Sequence, residues 1–164
     1  VLTLSASLFI LNILQMVAEQ ILTEELENLK SDITSRIEAS GQTASGNTAK
    51  SLEVETKDYS GKLTGASYIG VLETGRKPGK VPREFIDILK RWAQAKGISF
   101  SDEKQFNLWA NAVKWKIIRE GTKLYRSGQN EDIFDSSVKK FEDKLNERIA
   151  VFYQSQIANE IFNF

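Results

Sequence analysis

The chain has 164 residues, with 22 Lys and Arg against 22 Asp and Glu, no His, no Cys and 41% hydrophobic residues. This length and apolar content fit one globular domain with a substantial core. The absence of His and Cys removes the usual general base near neutral pH, thiolate nucleophiles and the commonest zinc ligands. An enzyme built from this chain would have to work with carboxylates, Lys, Tyr or Ser alone, which is the less common case. We expect a protein that is not an enzyme, with no catalytic residue, no cofactor and no metal site.

The first apolar segment is Leu8–Leu11, followed by Ile13 and Leu14. It is too short to span a bilayer, which needs about 20 apolar residues. It also lacks the basic start of a secretory signal, because the first Lys or Arg is Lys30. We expect no membrane partner and no export.

A long helix is predicted over residues 1–40. The apolar positions that follow the three-and-four spacing of one helix face are Leu8, Leu11, Leu14, Ala18, Leu22, Leu26, Leu29, Ile33 and Ile37. In its first half other apolar residues, such as Phe9, Ile13 and Met16, widen the stripe to more than one face. Two interpretations remain open: a central core helix, or a helix packed against a neighbouring subunit.

A small antiparallel sheet is predicted after a polar connection at residues 41–47. Leu52 and Val54 alternate with Glu53 and Glu55, a turn follows at residues 58–61, and residues 62–66 continue the pattern. A denser apolar run, Tyr68–Leu72, comes next. We expect two or three strands, with one face of the first strand exposed.

Residues 75–82 hold both prolines of the chain and form a basic loop. A helix is predicted over residues 83–96, and Gly97 ends it. Its expected buried stripe is Phe85, Ile86, Leu89, Trp92 and Ala93. Asp102 is placed to cap a second helix that runs to Glu120 and ends at Gly121. After a turn at residues 127–130, apolar spacing predicts a last helix of about 30 residues.

The predicted fold class is α+β: a long N-terminal helix, a small antiparallel sheet, two short helices and a long C-terminal helix. So small a sheet needs helices over one face to form a core. We expect one domain over residues 1–164, made of the first helix (1–40), a sheet and two-helix core (41–126) and the last helix (127–164).

Motifs for nucleotide or metal chemistry fail on spacing. Gly75–Lys80 has three residues between its glycines and Val81 after the lysine, so it is not a phosphate-binding loop. Gly41–Gly46 has the right glycine spacing, but Asn47 stands in place of the lysine. The carboxylates of Glu53, Glu55, Asp132 and Asp135 lie in polar contexts typical of a solvated face, and no calcium loop is formed.

Charge is unevenly distributed along the chain. A net charge of zero argues against a protein that coats duplex DNA with its whole surface, since such binding needs a broad excess of Lys and Arg. Residues 1–73 nevertheless carry a net −5, residues 74–126 a net +8 and residues 127–164 a net −3. The basic middle is thus flanked by two acidic arms.

This asymmetry supports two functional interpretations. In the first, basic residues and tryptophans of segment 74–126 bind a nucleic-acid backbone and stack on bases, with Lys114, Trp115, Lys116 and Arg119 as contacts. In the second, a basic surface of one subunit meets an acidic surface of the next in a head-to-tail ring. Trp92 and Trp109 lie on apolar stripes and are expected in the core.

Three short motifs in the middle of the chain form a familiar set. They are Tyr68–Gly79, then Lys96-Gly97-Ile98 after a Pro-led helix with Trp92, and Lys116–Thr122. In this order they resemble the neck and tail-completion proteins of tailed bacteriophages, the HK97 gp10-like family. There a strand end precedes a basic or polar loop, and an Ile-x-x-x-Gly-Thr helix end precedes a final helix. The resemblance covers roughly residues 45–150.

The resemblance implies a non-enzymatic virion protein that assembles, in the cytoplasm of the host bacterium, as a sixfold or twelvefold ring at the head–tail junction. Its partners would be further copies of itself, the portal or connector and tail proteins, and genome DNA in the channel. The contact loop implied is Gly75, Arg76, Lys77, Pro78, Gly79 and Lys80. Whether this loop faces DNA or a neighbouring subunit stays open.

The sequence departs from the commoner form of that family in two respects. Its apolar N-terminal helix is long, and Asp132-Ile133-Phe134-Asp135 replaces the usual Phe-Leu-x-x-Ala after Gly-Thr. The neck position that the protein fills is therefore left open.

Overall fold

The computed structural model describes residues 2–43 and 46–162 and has an α+β fold. Its elements in chain order are α1 (Leu2–Ala39), α2 (Asn47–Lys50), β1 (Glu53–Lys57), β2 (Ser60–Thr64), α3 (Val71–Thr74), α4 (Phe85–Ala95), α5 (Glu103–Glu120), α6 (Lys123–Ser127) and α7 (Asp135–Phe162). The long first and last helices and the antiparallel pair of strands confirm the predicted fold class.

Contacts within the chain group it into two compact units. Unit 1 comprises Val1–Ser35, Leu52–Gly65 and Phe134–Phe164; unit 2 comprises Arg36–Ser51 and Ala66–Ile133. Helix α1 contributes residues to both. Unit 1 has seven basic and thirteen acidic residues, a net charge of −6, whereas unit 2 has fifteen basic and nine acidic residues, a net charge of +6. The uneven distribution of charge along the sequence thus corresponds to a difference in net charge between the two units.

The core of unit 1 is built by α1, the β1–β2 hairpin and α7. The buried residues of α1 recur at helical spacing and are Ala18, Ile21, Leu26, Leu29 and Ile33. The hairpin pairs Glu53 with Thr64 and Lys57 with Ser60. Its turn residues, Asp58 and Tyr59, both have positive φ, the backbone of a two-residue type I′ turn. The alternating exposure of β1 confirms that one face of this strand is solvated.

Helices α4 and α5 form the centre of unit 2. Their buried residues are Phe85, Ala93, Phe106 and Ala110, and Ile37 and Ile133 are also almost fully buried in this unit. Asp102 caps α5 as predicted, because its carboxylate accepts a hydrogen bond from the Gln105 backbone N–H at 2.7 Å. Gly121 ends the helix with a φ of 78°, again as predicted.

The sheet has two strands among the described residues, within the expected two or three. Tyr68–Gly70 is a turn and Val71–Leu72 begin α3, so this apolar run adds no third strand. Two other details differ from the prediction. Trp92 is 40% exposed and does not join the buried stripe of α4. A short helix, α6, precedes the turn at residues 127–130.

The side chains of the predicted apolar run Leu8–Leu11 lie outside the described part of the chain. Residues 44 and 45 of the polar connection lie outside it as well. Within the described ranges, no helix combines the length and the apolar character that a membrane crossing requires.

Candidate functional site

The basic loop, residues 75–80, is held against the segment that joins α5 to α6. The Arg76 backbone N–H donates to the Thr122 hydroxyl at 2.9 Å, and the Thr122 N–H donates to the Arg76 carbonyl at 2.9 Å. The Gly79 N–H donates to the Ile118 carbonyl at 3.0 Å. These three hydrogen bonds fix the backbone of the loop at two points and restrict its conformational freedom.

Two glycines make this close approach feasible. Gly75 has a φ of 73°, and a Cβ atom there would collide with the Tyr125 backbone nitrogen and lie 2.7 Å from the Thr122 hydroxyl. Gly121 has a φ of 78°, and its Cβ would lie 2.9 Å from the Tyr125 ring. Both positions need glycine for its left-handed backbone and for its missing side chain.

Thr122 has a second role as the N-cap of α6. Its hydroxyl also accepts a hydrogen bond from the Tyr125 N–H at 3.4 Å. One side chain therefore fixes both the loop and the following helix. The sequence motif that ends in Gly121-Thr122 is the part of the chain that receives the loop.

The cationic groups of the loop differ in their freedom. The Arg76 guanidinium turns back and donates to the Lys80 carbonyl at 2.6 Å, which further orders the loop. Lys77 and Lys80 are exposed. A cleft of about 510 Å³ beside them is also lined by Ser67 and Thr74. The loop therefore presents two exposed ammonium groups on a fixed backbone, suited to carboxylate or phosphate partners.

The second predicted site lies on α5 and adjoins the loop. Trp115 is 60% exposed, and Lys116 and Arg119 are exposed in the same turn or the next. Lys114 is half-buried and is less available than the other three as a contact. Because Gly79 bonds to Ile118, the loop and the end of this helix form one continuous basic region. Leu108, 67% exposed, extends the face towards the start of α5.

The other two tryptophans belong to an aromatic cluster between α4 and α5. Trp92 and Trp109 stack with ring centroids 6.5 Å apart and an interplanar angle of 14°. Phe100 and Phe106 surround Trp109 at 5.1 Å and 6.0 Å. Such contacts stabilise helix packing. Trp109 therefore supports the core of unit 2, as expected, while Trp92 covers its edge.

The acidic candidates of the sequence occupy ordinary surface positions. Glu53 and Glu55 are exposed on β1, and Asp132 forms an ion pair with Arg36 at 3.1 Å. In the ranges 2–43 and 46–162, no group of three or more His, Cys, Asp or Glu residues is arranged to hold a metal ion.

A charged cluster that sequence reasoning missed lies between α1 and α7 in unit 1. The Arg148 guanidinium donates to Glu25 at 2.7 Å and to Glu24 at 2.6 Å. The Glu25 side chain is only 4% exposed. Burial alone would raise the pKa of Glu25, but hydrogen bonds from Arg148 and Asn28 and the nearby cations outweigh it and lower the pKa. The cluster fixes the pairing of the two helices.

Nearby, Asp32 accepts hydrogen bonds from Lys140 at 2.7 Å and from Ser137 at 3.0 Å. Both partners are more than 100 positions away in the chain. No short sequence motif indicates a contact between residues so far apart, so these polar contacts between α1 and α7 could not be predicted from the sequence.

Comparison of the chain with protein-family models, with curated proteins and with solved structures finds no match.

Proposed function

We propose that the protein is a structural subunit of the head–tail junction of a tailed bacteriophage, a neck or tail-completion protein that assembles as a ring between portal and tail. It acts in the virion by binding and needs no catalytic group. Its neighbours are copies of itself, portal or connector proteins and tail proteins, with genome DNA passing through the ring.

The observation that carries this proposal is the meeting of the two main motif segments. The loop at residues 75–80 and the helix end at residues 116–122 are about 40 positions apart, yet three hydrogen bonds and two closely packed glycines join them. The two motif segments that support the resemblance are therefore joined in one ordered region of unit 2. The strand end that precedes the loop in that family is replaced here by a turn and α3.

The charges of the two units also support a ring. A head-to-tail ring presents two different surfaces of each subunit to each other, so opposite charges favour the correct neighbour. Unit 2 carries +6 and unit 1 carries −6. The exposed Lys77 and Lys80 would meet acidic side chains of the next subunit or phosphates in the channel.

The direct test is to remove the protein from the virion assembly pathway and image the particles. We expect heads and tails that are complete but not joined, and rescue by the protein supplied in trans. Normal, joined particles would overturn the proposal.

A charge-reversal variant tests the loop itself. We expect Arg76→Glu, Lys77→Glu and Lys80→Glu together to abolish ring formation and tail attachment. The matched control reverses Lys57, Lys62 and Lys139, which are exposed in unit 1 and change the net charge by the same amount. Equal activity of the two triple variants would show that the loop is not the contact.

A second candidate function is nucleic-acid binding through segment 74–126, which the exposure of Trp115 beside Lys116 and Arg119 favours. It predicts binding of the isolated protein to single-stranded DNA that weakens steeply with salt. It also predicts that Trp115→Ala weakens binding by roughly 1–3 kcal/mol, the usual stacking contribution per base. The neck proposal predicts weak binding that this substitution leaves unchanged.

A further inference from the structure

Two stretches of the sequence carry no charged residue. Residues 1–18 and residues 149–159 contain no Asp, Glu, Lys or Arg. These two stretches lie at opposite ends of the sequence. In contrast, residues 19–39 of α1 and residues 135–148 of α7 carry eight charged residues each.

The pairing of α1 with α7 brings the two stretches together. Arg148 contacts Glu24 and Glu25, and Lys140 contacts Asp32, so the helices run antiparallel in a defined register. Continued for about two turns, this register places Met16 level with Ile157. Met16 is 66% exposed and Ile157 is 56% exposed.

The hairpin turn completes this surface. The hairpin lies against α1, because the hydroxyls of Thr56 and Thr23 are 2.9 Å apart and a Cβ at Gly61 would lie 3.1 Å from the Leu22 side chain. Partial burial raises the pKa of Tyr59 in the turn, and the nearby carboxylate of Glu19 and phenol of Tyr153 raise it further. Tyr59 and Tyr153 are each about half exposed. We call the exposed set Ile13, Met16, Tyr59, Val151, Tyr153 and Ile157 the apolar end.

A groove lies next to the apolar end and can accept a side chain of a partner. It has a volume of about 480 Å³ and runs between α1 and α7, lined on its apolar part by Ile21, Val151 and Phe152 and elsewhere by the charged side chains of Glu25, Lys144, Glu147 and Arg148. An apolar side chain that projects from a partner helix fits such a groove.

We propose that the apolar end is a two-fold contact between two copies of this chain. A two-fold contact sets each surface against itself, so like charges face like charges. Unit 1 carries −6 overall, which opposes self-contact through its charged faces. The apolar end itself holds no charged side chain, and Glu19 and Asp58 lie at its edge beside Tyr59.

The chemistry of the apolar end favours a second copy over a membrane surface. Helices that lie in a membrane interface carry Lys and Arg on their polar face, whereas no basic residue precedes Lys30 in α1. The exposed surface of these six side chains amounts to roughly 500–600 Å² per copy, by typical side-chain areas. A specific dimer needs at least about 600 Å² per partner, so the area of the apolar end is close to that minimum.

The contact lies outside the basic loop and does not rest on the proposed ring. The two contacts also respond differently to dissolved salts. Burial of apolar surface strengthens in sulfate, while attraction between opposite charges weakens with ionic strength.

Sedimentation velocity of the full chain over a wide range of concentration tests the contact. We expect a reversible dimer that becomes tighter in sodium sulfate. We expect Met16→Glu, and separately Ile157→Glu, to raise the Kd by about a hundredfold or more, because each sets a charge against its own copy in a desolvated contact. Far-UV circular dichroism of both variants should match the parent, since both positions are exposed.

The matched control is Asn146→Glu, which adds the same charge at an exposed position of α7 outside the apolar end and should leave the Kd unchanged. A parent chain that stays monomeric at every concentration would overturn the proposal. So would a Met16→Glu dimer of parental affinity, or a monomer that floats with neutral or anionic phospholipid vesicles.

The same variants separate this proposal from the ring. If Met16→Glu is monomeric in solution yet supports normal joining of heads and tails, the two-fold contact stands as a property outside the junction. If the parent dimerises but particles that lack the protein are normal, the ring role fails and the dimer remains.

Discussion

In unit 1, two long antiparallel helices meet through ion pairs, whereas in unit 2 a basic loop is fastened to a helix end by backbone hydrogen bonds. The first arrangement depends on charged side chains, with Glu25 buried against Arg148. The second depends on glycines and one threonine, and leaves its lysines exposed. Charged side chains thus hold the helices of unit 1 together, whereas the loop of unit 2 is held by its backbone and leaves Lys77 and Lys80 exposed.

The largest expected effect comes from the fastening of the loop. Gly75→Ala sets a Cβ against the Tyr125 backbone at positive φ, and we expect it to lower the free energy of unfolding by at least about 3 kcal/mol. The matched control is Gly97→Ala, which has a similar φ of 69° but open space around it and should cost about 1 kcal/mol. Urea denaturation measures both. Equal costs would mean that the close approach is not formed.

The next effect tests the ion pairs of unit 1. Arg148→Ala leaves Glu25 buried without its main partner, and we expect a loss of about 2 kcal/mol. The control Arg148→Lys keeps a charge within reach and should lose less.

The pH dependence of unfolding gives the sign of this contribution. The pKa of Glu25 is lowered in the folded protein, so its stabilisation is present above the unfolded carboxyl pKa of about 4.3 and is lost as pH falls through the folded value. We expect the free energy of unfolding of Arg148→Ala to fall less than that of the parent chain as the pH is lowered from neutral to about 4.3 and below. An unchanged pH profile would argue against the pair.

A smaller effect is expected at the shared cap. Thr122→Val removes the acceptor for both Arg76 and Tyr125 and should cost about 1–2 kcal/mol. Asp102→Ala, which removes a cap with one partner, should cost about 1 kcal/mol. Amide hydrogen exchange distinguishes the two, since only Thr122→Val should speed exchange at Arg76. Slow exchange there in both variants would show that the threonine does not hold the loop.

The smallest effect is expected at the exposed tryptophan. Trp115→Ala should change the free energy of unfolding by no more than about 0.5 kcal/mol, because Trp115 is 60% exposed. Trp109→Ala, inside the aromatic cluster, should cost about 3 kcal/mol. A large cost at Trp115 would mean that this side chain supports unit 2 and is not held ready for a ligand.

Local signals allowed most of the fold to be predicted. Apolar spacing gave α1, α5 and α7, and the Asp102 cap and Gly121 set the bounds of α5, because these features act within a few residues. Whether Tyr68–Leu72 adds a third strand could not be decided, since a short apolar run does not distinguish a strand from a turn that leads into a helix. Trp92 was misplaced because helical spacing identifies a face but not how far that face is covered.

The candidate site was predicted in its residues but not in its geometry. The loop and the basic face of α5 were recognised from prolines, glycines and cations. Their union depends on Arg76 and Thr122, which are 46 positions apart. The pairing of Glu25 with Arg148 spans 123 positions. From sequence alone nothing distinguishes Glu25 from Glu24 as the buried one, because burial is decided by the partner helix.

The discontinuity of unit 1 has a consequence for synthesis. Residues 36–133, which hold unit 2, can leave the ribosome and fold before α7 has been made, whereas α1 must wait for its partner helix until residues 135–162 have been synthesised. At about 5–20 residues per second, the roughly 100 intervening residues expose the uncharged start of α1 for about 5–20 s. We therefore expect the nascent chain, more than the finished protein, to need chaperone protection against aggregation.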